Sequence, residues 1–137
     1  MATYSRALAA LRPAARILTG STYVLLGFDA LREPGGRVDQ AAPVLAAIRK
    51  VAPLPDDDEV VVRANAAVQV AGGVALVLGL APRLSALALA GSLIPTTLAG
   101  HPYWAIEDPA VRKQQRIQFH KNMALLGGLL LAVIDEP

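Results

Sequence analysis

Two long uncharged stretches, residues 64–82 and 84–106, stand next to each other with only Arg83 between them. Nothing else in the chain restricts its fold so strongly. A helix that crosses a bilayer needs about 20 mostly apolar residues, with a lower limit near 17, and both stretches meet that requirement. The link Ala81-Pro82-Arg83 is so short that helices joined by it must fold back as an antiparallel pair. Two further apolar segments flank this hairpin. Residues 17–28 are uncharged between Arg16 and Asp29. Residues 122–134 are uncharged, and 117–119 extend them by a turn. These outer segments span only if Arg16, Asp29 and Lys121 lie at the interface or face the bundle interior. The expected fold is an all-α membrane protein forming one domain over 1–137. It is a four-transmembrane-helix bundle with spans at about 14–31, 62–81, 84–101 and 117–134 and a short N-terminal interfacial helix. The competing fold is a soluble helical domain whose short apolar segments are buried core helices.

Composition favours the membrane. Hydrophobic residues make up 54% of the chain while aromatic residues supply only 4%, so the apolar mass is Ala, Leu and Val together with 11 glycines. Small residues of this kind let helix backbones approach closely in lipid. The net charge is only +2 and the basic residues are scattered without an aromatic stacking platform, so no nucleic-acid partner is expected. The absence of cysteine removes disulfides, thiolate metal ligands and thiol nucleophiles from this chain's own repertoire.

At the N-terminus, arginines precede an apolar run as they would in a secretory signal. No small-x-small cleavage site follows, so a retained first helix is expected. Tyr4, Leu8 and Leu11 share one helical face roughly opposite Arg6, Arg12 and Arg16, the pattern of an interfacial helix, and Pro13 suits the first turn of the span that follows. Pro34-Gly35-Gly36 breaks the chain, a short helix is expected over 41–51, and the acidic run Asp56-Asp57-Asp58-Glu59 suits a helix N-terminus. Residues 102–118 read as the connection between the third and fourth spans. The Gly pairs Gly72-Gly73 and Gly127-Gly128 are expected at close helix contacts.

Four spans place the N-terminus, the Pro82 turn and the C-terminus, including Asp135 and Glu136, on one side of the bundle, side A. The other two connections lie on side B. Nearly all the embedded polar residues then fall on side B: Asp29, Arg63, Asn65, Gln69, Thr96, Thr97, His101, His120, Lys121 and Asn122, with Tyr103 and Trp104 as interface anchors. Polar groups at membrane depth must meet one another, so an ion pair of Asp29 with Lys121 or Arg63 is expected. The cluster is either a pocket open to side B or a structural network. Two histidines without a clear third ligand make no metal site. Nine basic residues on side B against four on side A lean side B, with loops 32–62 and 102–118, toward the cytoplasm.

Several motifs occur in a telling order: Arg63-x-Asn65, Gln69-Val70-x-Gly72-Gly73, Gly79-Leu80-x-Pro82-Arg83, Pro95-Thr96-Thr97-x-x-Gly100-His101-Pro102-x-Trp104, and Phe119-x-Lys121-Asn122 followed by Leu126-Gly127-Gly128-Leu129. Over about 16–134 the chain resembles the DoxX family. That resemblance implies a small four-helix protein of the bacterial cytoplasmic membrane, and the Ala/Arg-rich style suggests an actinobacterial subgroup. Some DoxX-like proteins are linked to quinone-coupled oxidation of sulfur compounds, and others associate with membrane redox enzymes. The expected function is a small accessory or structural subunit of a larger complex, either a multi-subunit transporter or a redox assembly. Its partners would be other integral membrane subunits and lipids, and it would have no cofactor and no catalytic residue of its own. The alternative is a quinone-linked membrane subunit of an oxidoreductase, with Asn65, Gln69, His101 and His120 as donors to a quinone. Docking or binding would then centre on Asp29, Arg63, Asn65, Gln69, Thr97, His101, Trp104, His120, Lys121 and Asn122.

Overall fold

A computed structural model describes residues 2–135, with side chains described from Arg6 onward. The described chain is helical: α1 (Ala2–Arg32), α2 (Arg37–Arg49), α3 (Asp58–Leu78), α4 (Pro82–Gly100), a 3-10 turn (Tyr103–Ala105) and α5 (Pro109–Ile134). The long helices alternate in direction and lie in the spatial order α1, α3, α4, α5, with α2 tucked under the side-B ends of α3 and α4. Three segments are long and apolar enough to cross a membrane: Asp58–Leu78, Pro82–Ala105 and Pro109–Ile134. Among the described residues α1 does not reach that measure. Thr19, Ser21, Thr22 and Tyr23 dilute its apolar centre, and Arg16 and Asp29 bound it.

The closest packing joins α1 to α3. A Cβ added to Gly20 would stand 2.5 Å from the Gly73 carbonyl oxygen, and one on Gly73 would stand 2.6 Å from the Gly20 carbonyl oxygen. One heptad away, a Cβ on Gly27 would meet the Ala66 carbonyl oxygen at 3.0 Å and the Gln69 Cβ at 2.9 Å. Small residues at this spacing on both antiparallel helices bring the backbones into contact. Two arginines sit at opposite ends of the pair. Arg63 of α3 donates to the Leu31 carbonyl at the end of α1. The Arg16 guanidinium of α1 lies 3.2 Å from where a Cβ on Gly79 would be, at the end of α3. Cations belong at helix C-termini, where carbonyls lack partners and the dipole is negative.

The α3–α4 hairpin turns where its sequence says it should. Gly79 adopts the left-handed conformation (φ 70), and the amides of Gly79 and Leu80 bond back to the Leu76 and Ala75 carbonyls at 3.1 and 2.8 Å. Pro82 then opens α4. Between α3 and α4, Leu89 fills the space over Gly72. The apolar core gathers Tyr23, Leu76, Ala86, Leu89, Ala90, Leu93 and Leu129. Outside it, large apolar side chains stand exposed on every long helix, among them Leu18, Leu25, Leu84, Ile94 and Leu131. In water so continuous an apolar exterior is a liability, whereas hydrocarbon requires it.

Four expectations are corrected. Among the described residues there is no separate N-terminal interfacial helix, because α1 runs unbroken through Pro13. The carbonyl that Pro13 leaves without an intrahelical partner belongs to exposed Ala9, where water or headgroups can satisfy it. Of the N-terminal face, the side chain of Tyr4 lies outside the described residues, as does Glu136 at the other end. Helix α2 begins at Arg37, four residues before the expected start. Helix α5 begins at Pro109, so much of the expected 102–118 connection is helix. There Asp108 caps the Ala110 and Val111 amides at 2.8 and 3.0 Å, and the polar first turns carry α5 about 12 Å beyond its apolar segment. Finally, only one of the two Gly pairs is a helix contact within this chain. A Cβ on Gly127 or Gly128 would meet nothing within 4 Å.

Gly73→Ala should therefore force α1 and α3 apart and cost about 1–3 kcal/mol. Gly127→Ala should be neutral or stabilise by up to about 1 kcal/mol. Thermal unfolding of the two variants in the same detergent checks the contrast.

Candidate functional site

The polar residues of side B are positioned by the register of α3 against α4. Asn65 and Gln69 lie four apart on α3, facing Ser92 and Thr96, four apart on α4. The Gln69 amide donates to Ser92 Oγ at 3.0 Å, and Ser92 Oγ donates to Asn65 Oδ1 at 2.8 Å. The Asn65 amide donates to Thr96 Oγ1 at 3.2 Å, and Thr96 Oγ1 donates to the Ser92 carbonyl at 2.8 Å. Gln69 and Ser92 are buried. The result is a closed ladder in which each hydroxyl both gives and receives.

Next along the row, Asn122 of α5 donates to Thr97 Oγ1 at 3.1 Å. Closer to the side-B surface, His101 Nδ1 and Gln115 Oε1 lie 2.6 Å apart, which makes Nδ1 the protonated nitrogen. Beyond His101 the 3-10 turn packs on α5. Tyr103, Trp104 and Phe119 meet pairwise edge to face, with centroids 5.4–5.9 Å apart, and His120 joins them through Phe119. Trp104 remains 57% exposed, as an anchor at a membrane surface would.

Three residues of the acidic run at the start of α3 help organise this end. Asp57 caps the Glu59 and Val60 amides at 2.9 and 3.3 Å. Asp58 pairs with Arg49 at 2.6 Å, and Glu59 pairs with Arg63 at 2.8 Å. Arg49 also donates to the Pro55 carbonyl, which ties α2 to the start of α3.

The ten candidate residues therefore fall into separate sets. Asn65 and Gln69 share the inner ladder. Thr97 and Asn122 form one link, and His101 belongs to another. Arg63 bonds Glu59 and the Leu31 carbonyl. The expected ion pair of Asp29 with Lys121 or Arg63 does not form. Asp29 is exposed at one edge of the row and Lys121 at the other, because α1 and α5 are its two outer members. His120 points back to the Arg116 carbonyl at 2.8 Å. Together with Arg116, Ile117, Lys121 and Ala124 it lines a shallow groove of about 480 Å³ on the outer face of α5. Ser92 and Gln115 are essential to these contacts and were not singled out in the sequence. Ser92 was detectable, since its four-residue spacing from Thr96 repeats that of Asn65 and Gln69. Gln115 was hidden in what read as a polar connection.

The DoxX family profile matches residues 12–102, more than half of the chain. The chain belongs to the DoxX family. The matched region takes in α1 from Arg12, the α1–α3 glycine contact, the whole Asn65–Thr96 ladder and the His101-Pro102 end of α4. Helix α5 lies outside it. No curated protein and no solved structure matches this DoxX protein.

Ser92 is the hub of the ladder, so Ser92→Ala should destabilise the protein by about 1–2 kcal/mol. A double-mutant cycle of Ser92→Ala with Gln69→Leu should return a coupling energy of about 0.6 kcal/mol, read from unfolding in mixed micelles. Asp29→Asn should change stability by less than about 0.5 kcal/mol. Arg63→Ala, which uncaps α1, should cost more than Asp29→Asn in the same assay.

Proposed function

We propose that this DoxX protein is a four-span accessory subunit of a larger membrane complex, either a multi-subunit transporter or a redox assembly, and that α5 is the helix it presents to its neighbour. The single observation behind this reading is the state of α5. In a helix of 26 residues only Leu129 is buried, and its neighbours in the fold are α4 and the 3-10 turn. Lipid can cover an apolar face, but it does not account for Ala124, Gly127 and Gly128 standing together on the surface. Glycine in a lone helix costs up to about 1 kcal/mol relative to alanine. It becomes favourable when another helix approaches closely. The groove at Ile117 and Lys121 continues this face toward side B, where a partner's polar groups would meet Arg116 and Lys121.

The fourth span is α1. Its residues 20–27 lie alongside 73–66 of α3, so wherever α3 crosses hydrocarbon α1 crosses beside it. Its Ser21 and Thr22 hydroxyls bond to the Leu18 carbonyl, which supports that placement by leaving little polar demand unmet. The bacterial cytoplasmic membrane, with side B inward, fits the distribution of basic residues. The quinone-linked alternative is weaker on this geometry. It requires free donors at side B, and Asn65, Gln69 and His101 already have partners within the chain.

Because the chain lacks cysteine, single cysteines report contacts cleanly. Cysteine introduced at Ala124 or Gly127 should cross-link to a different membrane polypeptide in native membranes, whereas cysteine at Leu25 on α1 should not. Purification as an isolated homo-oligomer carrying stoichiometric quinone, with no cross-link from α5, would refute the accessory role.

A further inference from the structure

A cleft lies away from the side-B residues, on side A between the two edge helices. Helices α1 and α5 barely touch along their lengths, and the wedge between them is a cleft of about 960 Å³. Its walls are Leu11 and Ala15 of α1, Leu84 of α4 and Leu131 of α5, and its floor is Leu76 and Leu129. The floor residues belong to the apolar core.

The side-A end of this cleft is charged in one sense. Arg12, Arg16 and Arg83 line it with a single carboxylate, Asp135, among the described residues. Two of the arginines converge on that residue. Arg12 Nε is 3.1 Å from Asp135 Oδ2, and Arg83 Nε donates to the Asp135 carbonyl at 3.0 Å. Arg16 stands one helix away, beside Gly79. Gly79 ends α3 and Arg83 lies in the first turn of α4, so these guanidinium groups sit where the hairpin emerges from hydrocarbon. That is the depth of lipid headgroups.

We infer that the α1–α5 cleft is a binding site for one anionic phospholipid. An acyl chain lies along Leu76 and Leu129, and the phosphate is held by Arg16 and Arg83. The arginine fork matches phosphate oxygens in pairs, and basic pockets between spanning helices select anionic headgroups. A zwitterionic lipid offers the same acyl chain, but its ammonium group would be repelled by the excess of guanidinium charge. The cleft also lies within the range of volumes, about 300–1,000 Å³, that hold small ligands. The cleft shares only Gly128 with the docking face proposed for α5, and neither reading depends on the other.

The test is native mass spectrometry of the detergent-solubilised full chain titrated with phosphatidylglycerol or phosphatidylcholine. The wild type should retain one phosphatidylglycerol at least about tenfold more tightly than phosphatidylcholine, with roughly fivefold from each arginine. Arg16→Gln with Arg83→Gln should erase that preference, and Arg16→Lys with Arg83→Lys should keep most of it. Ala15→Phe, which fills the cleft from exposed α1 and leaves every arginine in place, should weaken both lipids alike. The site is refuted by equal binding of the two lipids to the wild type, by a preference that survives the glutamine pair, or by undiminished binding to Ala15→Phe. Recovery of a quinone or a partner's helix in the cleft of the natively purified protein also refutes it. If the glutamine pair does not fold, the wild-type comparison and Ala15→Phe decide the matter.

Discussion

The backbone contact between Gly20 and Gly73 is the constraint from which the rest of the arrangement follows. At 2.5–2.6 Å from the opposing carbonyl oxygens there is no room for even a methyl group on either helix. The contact recurs one heptad away at Gly27 and Ala66, so α1 and α3 are locked in both depth and rotation. That lock explains how α1, which lacks an apolar stretch of spanning length among the described residues, keeps company with three helices that have one. It also places Arg63 and Arg16 at the two C-terminal ends of the pair, where their charge is favourable. With α1 held so firmly against α3, it cannot also close upon α5. The cleft on side A is the geometric remainder.

Helix α4 is organised by polar rather than steric matching. One side of it offers Ser92 and Thr96 to α3, and the next residue, Thr97, turns to α5. In a low-dielectric interior each such group is costly without a partner, so the side chains that satisfy one another also fix the register of three helices. The same logic limits what side B can do chemically. Asn65, Gln69 and His101 have partners within the chain, so a ligand that drew on them would compete with those bonds. Helix α5 is held by Thr97 and Gln115 contacts in its side-B half and by the arginines around Asp135 just past its end, while Leu129 anchors its side-A half. The opposite face of α5 carries small residues with open space above them.

Much of this fold was legible in the sequence. The apolar stretches around Pro82 give the α3–α4 hairpin because length and hydropathy act locally, and Gly79-Leu80-x-Pro82 carries its own turn chemistry. The family motifs were legible for the same reason, since they are linear. The start of α5 at Asp108-Pro109 carried a readable capping signal but was obscured by Arg112, Lys113 and Arg116, which look like loop when helices are sought only by their apolar content. The continuity of α1 through Pro13 was not legible. An interior proline costs least where the carbonyl it orphans can reach water or headgroups, and the exposure of Ala9 is not visible in a linear pattern. Asp29 was misplaced for a different reason. Threading by side says which end of the bundle a residue occupies but not which helices are neighbours, and Asp29 and Lys121 are on the same end at opposite edges.

By itself the sequence determined that this chain is helical, that most of its mass belongs in hydrocarbon, that it turns sharply at Pro82 and that it belongs with the DoxX proteins. Each of those rests on local chemistry: hydropathy over a helix length, a left-handed glycine before a proline, and motifs read along the chain. Only the tertiary structure decided the order of the helices, which glycines meet a backbone and which face open space, and that Asn65, Gln69, Ser92 and Thr96 partner one another on side B while an apolar cleft opens on side A. Those outcomes depend on helix rotation and on which helices are neighbours. Close backbone approach at Gly20 and Gly73 contributes to both, and no linear pattern encodes it directly.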